Sequence, residues 1–308
     1  MLRLIVADLD SPSYFVATAA VELGFFKEEG IDIEVERAYG ALNGPERLRD
    51  GEVHFLGGPA YAATRAFPGW QGVKLLAALA QYSYWFLAIR ADLPVKRGDL
   101  NALKGMRISS STAFPETGLR HMLREAGIDL VRDNTSIVPL PVTPDEHLKA
   151  RVGVIALNQN IADAYWGNGM RLAVGEKLGV AKLHLDLRRG DGPPGARFYN
   201  FPALTTTDRL IEEQPQVTAG AVRAVVKAQK ALKADPSLAT GIGERLFGPE
   251  EAPLIAGLIA CDAPFYDATI SAEAVAGINT FAMANGLLSK PLAYDELVAT
   301  RFRDLWKS

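Results

Sequence analysis

The chain has 308 residues, 48% of them hydrophobic and 22% charged, with a formal net charge of −3. That composition suffices for one large core or two smaller ones, excludes a disordered chain, and provides no basic field for nucleic acid. The single cysteine, Cys261, excludes an internal disulfide and a cysteine zinc cage; the four histidines (His54, His121, His147, His184) lack metal-ligand spacing, so neither metal nor cofactor is expected.

Leu2 to Ala7 reads as a buried first strand. The start lacks the length and cleavage site of a secretory signal, so it predicts a cytoplasmic protein if native, or a trimmed form of an exported one. After a turn through Asp8 and Pro12, Val16, Ala19, Ala20 and Leu23 fall at helical spacing, with Gly24 as the stop. Ile31, Ile33 and Val35 alternate with acidic residues as a half-exposed strand. A short helix (Pro45 to Arg49), a strand (Val53 to Leu56), a helix (Tyr61 to Ala66) and strands at Val73 to Ala78 and Trp85 to Ile89 follow. Beyond a polar link from Pro94 to Asn101, a second α/β unit contains strand Met106 to Ser109 and a helix through Leu119 and Ala126. Its further strands fall near Ile137 to Leu140, Gly153 to Leu157 and Leu172 to Val174. Arg188 to Arg197 is polar and glycine-rich. Phe198 to Leu204 then reads as a strand, and Val217 to Lys233, Ala252 to Ile259, Ala272 to Ala284 and Tyr294 to Trp306 read as helices. No stretch approaches the ~18–20 apolar residues of a membrane-spanning helix.

This alternation predicts an α/β fold of mainly parallel sheets flanked by helices. Two polar links around a central unit predict two lobes. Residues 1–92 and 196–308 form the first, residues 93–195 the inserted second, and the hinge segments lie near 91–99 and 187–197. Two crossings permit closure of a central cleft.

Ligands of open parallel sheets bind beyond the carboxyl ends of the strands. Three turns there carry suitable donors: Asp10 and Ser11 running on to Tyr14; Gly58, Pro59 and Tyr61; and Ser110, Ser111 and Thr112. Helix N-termini with hydroxyls suit a carboxylate or sulfonate; the same residues also serve as ordinary helix caps. Aromatic groups, Tyr61 and Tyr199 among them, offer an apolar wall, whereas Trp85 reads as core. Asn158 offers an amide or a plain polar turn. Catalytic groups are sparse: Asp8, Asp10 and Ser11 are the candidates if the protein is an enzyme, and Cys261 reads as a small packed hydrophobe. Neither a GxSxG elbow nor a Walker A sequence occurs.

The run from Ala17 to Val35, with Gly24-Phe25-Phe26 and Glu29-Gly30-Ile31-Asp32, resembles the opening of the sulfonate/nitrate/thiamine-precursor binding proteins of ABC transporters. Leu48 to Phe55, Leu103 to Ser110 and Asn285 to Leu292 are similar to later landmarks of that family. The resemblance implies the type 2 periplasmic-binding-protein fold, a small organic ligand such as a sulfonate, carboxylate or pyrimidine-like heterocycle, an ABC permease as partner and a periplasmic location. A monomer is expected, because the C-terminal helices can cover the sheet. The same family includes cytoplasmic enzymes, so a decarboxylase or lyase acting on an aromatic or small organic acid is the alternative, and a ligand sensor would share the fold. The desulfinase of the family carries a cysteine nucleophile where this chain has Ser11, and the pyrimidine synthase needs a cysteine-rich motif that one cysteine does not supply.

Overall fold

Leu2–Val6 (β1) has Leu4, Ile5 and Val6 fully buried, as in a central strand covered on both faces. It pairs in parallel with Ile33–Glu36 (β2) and Phe55–Pro59 (β3). Parallel neighbours need a crossover, and the first is Pro12–Glu22 (α1), buried from Pro12 through Ala20. Val73–Ala78 (β4) and Pro202–Thr207 (β10) complete this sheet in the order β2-β1-β3-β10-β4, with β10 antiparallel to both neighbours. The structure is a computed structural model and describes residues 1–9, 11–36, 43–142 and 150–307. Asp10 and His147 lie outside the described residues.

The second sheet contains Phe86–Arg90 (β5), Arg107–Ser110 (β6), Ser136–Pro139 (β7), Ala164–Gly167 (β8) and Ala181–Asp186 (β9), in the order β7-β6-β8-β5-β9. Here β6 is parallel to β7 and β8, and β5 is antiparallel to β8 and β9. Both sheets are therefore mixed, each with one reversed strand. In each case the reversed strand is the first after the chain changes sheets.

The helices flank these sheets. Phe25–Glu28 (α2) and Gly44–Arg49 (α3) belong to the first lobe, and Phe114–Glu125 (α4), Val152–Asn158 (α5) and Gly169–Lys177 (α6) to the second. Asp208–Glu213 (α7) leads into Pro215–Ala234 (α8), which packs on α1 and on the 3₁₀ turn Thr300–Lys307. Leu238–Leu246 (α9), Ile255–Asp262 (α10), Ala272–Ala284 (α11) and Tyr294–Leu297 (α12) complete the first lobe.

Several local expectations change. Residues 153–157 and 172–174, expected as strands, lie in α5 and α6, while β8 and β9 were not anticipated. A short apolar run does not distinguish a buried helix from a strand, and α5 is set by packing: a Cβ on Gly153 would stand 2.8 Å from the Tyr165 ring of β8. Tyr61 to Ala66 forms a 3₁₀ turn (Ala60–Arg65), and Cys261 is exposed, where a packed side chain was expected.

The strand β5, placed in the first lobe by the sequence reading, pairs within the second sheet, so the chain changes sheets between Ala78 and Phe86, ahead of residues 91–99. It returns between Asp186 and Pro202. The two crossing segments are tied together. Ser83 is fully buried; its N–H donates to the Arg197 carbonyl (2.8 Å), its hydroxyl donates to that of Ala196 (2.9 Å), and it accepts from the Asn200 N–H (3.1 Å).

Elsewhere the lobes meet at Arg151, which forms an ion pair with Glu250, and at His121 of α4. The His121 ring lies against Tyr199 and Phe281 (centroids 4.5 and 4.9 Å), and its Nδ1 accepts from Arg124 Nη2 (2.6 Å) and Asn285 Nδ2 (3.1 Å). Burial, then the Arg124 charge, holds its pKa below the ordinary 6.5, against smaller opposing effects of Glu125 and Asn285. A depressed folded pKa gives stability that is present above the unfolded value and lost as pH falls through the folded one. Thermal unfolding should accordingly show the midpoint falling between pH 7.5 and 5.5, and His121→Gln should flatten that slope. An unchanged slope in the variant would remove His121 from the account, leaving His54 and His184, which burial shifts the same way.

Candidate functional site

Between the sheets lies a cavity of about 530 Å³. The first lobe contributes Ala7 and Asp8 after β1, Tyr14 of α1, and Pro59 at the end of β3. The second contributes Ser110, Ser111 and Thr112 at the end of β6, Pro139 to Val142 at the end of β7, and Gly167, Asn168 and Arg171 where β8 passes into α6. Tyr84 and Trp85, from the first crossing segment, and Phe114 of α4 form the aromatic wall. The carboxyl ends of parallel strands in both sheets therefore converge on one space, as the general rule for open sheets requires.

Of the expected site residues, Tyr14, Pro59, Ser110, Ser111 and Thr112 line the cavity, as does Asp8 from the enzymatic alternative. Five others do not. Gly58 is packed behind the wall against Ala7 and Leu56. Tyr61 is fully buried, its hydroxyl donating to the Phe114 carbonyl across the lobes (3.4 Å). Tyr199 packs on His121 and Phe281, Asn158 is exposed at the end of α5, and Ser11 is buried with a hydroxyl that finds no partner among the described residues. Asp10 is outside the described residues.

The polar lining depends on a residue the sequence reading passed over. Asn168 caps α6, its Oδ1 accepting the Arg171 N–H (3.0 Å), and its Nδ2 donates to Asp8 Oδ2 (2.6 Å) across the lobes. Arg171 Nη1 donates to Ser111 Oγ (3.1 Å), while its buried Nε has no hydrogen-bond partner among the described residues. Tyr14 and Tyr84 share a hydroxyl–hydroxyl hydrogen bond, and Asn200 Nδ2 donates to Tyr84 (3.5 Å). Burial and then the Asp8 charge push the Tyr84 phenol well above its ordinary range, so Tyr84 stays protonated.

Neither α1 nor α4 carries a side-chain cap; the N-cap of α4 is Ala113, at φ 64°. A non-glycine residue in that region costs of order 1–3 kcal/mol and is held there by its surroundings. The hydroxyls of Ser11, Ser110 and Ser111 are thus not engaged as caps; only Asn168 among the cavity's helix starts acts as one. Trp85 is buried and also lines the cavity, and it is held by α4: a Cβ on Gly118 would stand 2.2 Å from Trp85 Cζ3.

The sequence profile of the family described as NMT1/THI5 like matches residues 11–239, well over half of the chain. The chain belongs to the NMT1/THI5-like family. No curated protein sequence matches it. Its fold does match solved structures. The periplasmic aliphatic sulphonate-binding protein of Escherichia coli superposes with a TM-score of 0.67 at 15% identity, over 96% of this chain and 91% of that one. The periplasmic nitrate-binding protein of Synechocystis gives 0.66 at 16%, over 99% and 87%. The desulfurization enzyme DszB gives 0.63 at 18%, over 99% and 98%. At such identities the likeness establishes the fold, the two-lobed α/β architecture of periplasmic binding proteins. This NMT1/THI5-like chain has, among its described residues, no cluster of three or more His, Cys, Asp or Glu able to hold a metal ion, and no helix long and apolar enough to cross a membrane.

Proposed function

We propose that the protein is a periplasmic solute-binding protein that captures a small organic anion or heterocycle for ABC-type uptake, working as a monomer with a transporter permease. The observation that carries this reading is the interlobe cavity, in which the Arg171 guanidinium and Ser111 of one lobe face Asp8 of the other. A guanidinium with vacant donors suits a carboxylate or sulfonate, because its planar fork matches two acceptor oxygens. A cavity of about 530 Å³ lined mostly by apolar groups lies in the usual range for small-molecule sites. The sulphonate- and nitrate-binding proteins of the same fold support the assignment. Ligand release would bend the paired crossing segments around Ser83.

The wall favours binding over nucleophilic catalysis. Ser110 donates to the Ser111 carbonyl, Ser111 accepts from Arg171, and Asp8 accepts from Asn168, so no cavity serine among the described residues is hydrogen-bonded to a base. The test is a thermal-shift screen against sulfonates, aromatic and aliphatic carboxylates, nitrate and pyrimidines, with mass spectrometry of each hit. A ligand at 100 times its dissociation constant should stabilise the fold by about 2.7 kcal/mol and be recovered unchanged. Recovery of a converted product would replace this reading with the decarboxylase or lyase one.

A further inference from the structure

Charge in the cavity is paired in an unusual way. Asp8 and Arg171 are the charged acid and base among the described lining residues, and no ion pair joins them to each other or to a third described group. Instead, Asn168 holds both, its Nδ2 on Asp8 Oδ2 (2.6 Å) and its Oδ1 on the Arg171 backbone N–H (3.0 Å). Asp8 Oδ1 has no hydrogen-bond partner among the described residues. Arg171 spends Nη1 on Ser111 and leaves its buried Nε unpartnered. Both side chains are only partly buried, so solvent serves them in the empty cavity, and an occupant that displaces this solvent must supply the missing partners.

On the proposed binding function, on which this step rests, we infer that the ligand carries both an anionic group for Arg171 and Ser111 and an N–H donor for Asp8, joined by a flat apolar body. An anion without a donor satisfies Arg171 but brings negative charge toward Asp8. A cationic or neutral heterocycle satisfies Asp8 but leaves Arg171 unpaired. Asn168 ties Asp8 to the start of the helix that carries Arg171, and both side chains line one cavity of about 530 Å³, so the two functions of the ligand sit on one small ring or its short equivalent. Tyr84, Trp85 and Phe114 provide faces for such a ring. Aminoaryl sulfonates and aminoaryl carboxylates have this chemistry.

Calorimetric titration with benzenesulfonate, the three aminobenzenesulfonate isomers and aniline tests the inference on the wild-type chain. At least one isomer should bind tenfold or more tightly than both benzenesulfonate and aniline. Asp8→Asn should erase that advantage to within about threefold and tighten benzenesulfonate binding, since the like charge is gone. Benzenesulfonate binding as tightly as every isomer in the wild type overturns the ligand class and leaves the binding function standing, with no variant required. An advantage that persists in Asp8→Asn removes Asp8 from the inference. Binding by none of the probes overturns the class, and the broader screen then decides the function separately.

Discussion

Replacing Arg188 by methionine is expected to cost about 3–5 kcal/mol of folding stability, the usual result of stripping one partner from a buried charge cluster. Arg188 follows β9 in the second crossing segment, with its side chain 3% exposed. Its Nη1 donates to Asp262 Oδ1 at 2.5 Å, its Nε to Asp186 Oδ1 at 3.3 Å, and its guanidinium lies between the rings of Phe86 and Phe265 at 4.7 and 4.6 Å. Asp262 in turn accepts from the Ser13 hydroxyl of α1 (3.1 Å), so the cluster joins the crossing, α10 and the start of the helix beside the cavity. Burial alone would favour neutral arginine; the Asp262 and Asp186 carboxylates outweigh it and raise the pKa, keeping the charge. Methionine fills the volume but leaves Asp262 buried with one hydroxyl for company, whereas Asp186 keeps exposed Arg189 at 3.4 Å. Urea unfolding of Arg188→Met measures the loss. Adding Asp262→Asn should restore part of it, because that change removes the stranded charge. A single-variant loss below about 1 kcal/mol would mean that the cluster is solvated and contributes as little as a surface pair.

Arg171→Met should behave in the opposite way, weakening binding of an aryl sulfonate or carboxylate by about thirtyfold to several thousandfold with little change in the empty protein. Truncating one member of a desolvated, hydrogen-bonded charge pair costs about 2–5 kcal/mol, and 1.4 kcal/mol is a factor of ten. In the empty protein Arg171 gives one side-chain hydrogen bond to Ser111 and carries an unsatisfied buried Nε, so its removal sacrifices little and relieves a desolvated donor. Calorimetric titration and thermal unfolding of the same preparation separate the two effects. A fall in melting temperature of the empty variant comparable with that of Arg188→Met would make Arg171 structural.

The contrast between these two arginines shows where sequence is informative. The α/β alternation was legible because β1, β4 and β5 are predominantly apolar runs, and α8 and α11 are long enough for helical spacing to emerge. The carboxyl-end rule then located Tyr14, Pro59, Ser110, Ser111 and Thr112. Arg171 and Asn168 were lost with the boundary between β8 and α6. Reading residues 153–157 as a strand displaced the next strand, although Tyr165-Trp166-Gly167 followed by Asn168 carries aromatic strand formers and then a strong N-cap residue. That signal was available. The Arg188 cluster was not: Ser13, Asp186, Arg188 and Asp262 come from three distant segments, and no local pattern marks their meeting. The same holds for the first crossing, since an apolar strand such as β5 reads identically whichever sheet it joins.

The exchange of β5 and β10 has a consequence for how the polypeptide emerges during synthesis. Every strand of the second sheet lies between residues 86 and 186, so that lobe has all of its strands once β9 has left the ribosome. The first sheet, although it begins at residue 2, must hold β3 and β4 apart until β10 arrives at residues 202–207 to pair with both. The lobe made first is therefore the one completed last. In the interval the facing edges of β3 and β4 stand without a partner strand, the exposure that invites mispairing between nascent chains. The inserted lobe, which contributes Arg171 to the cavity, would already be assembled when the Asp8 side closes onto it.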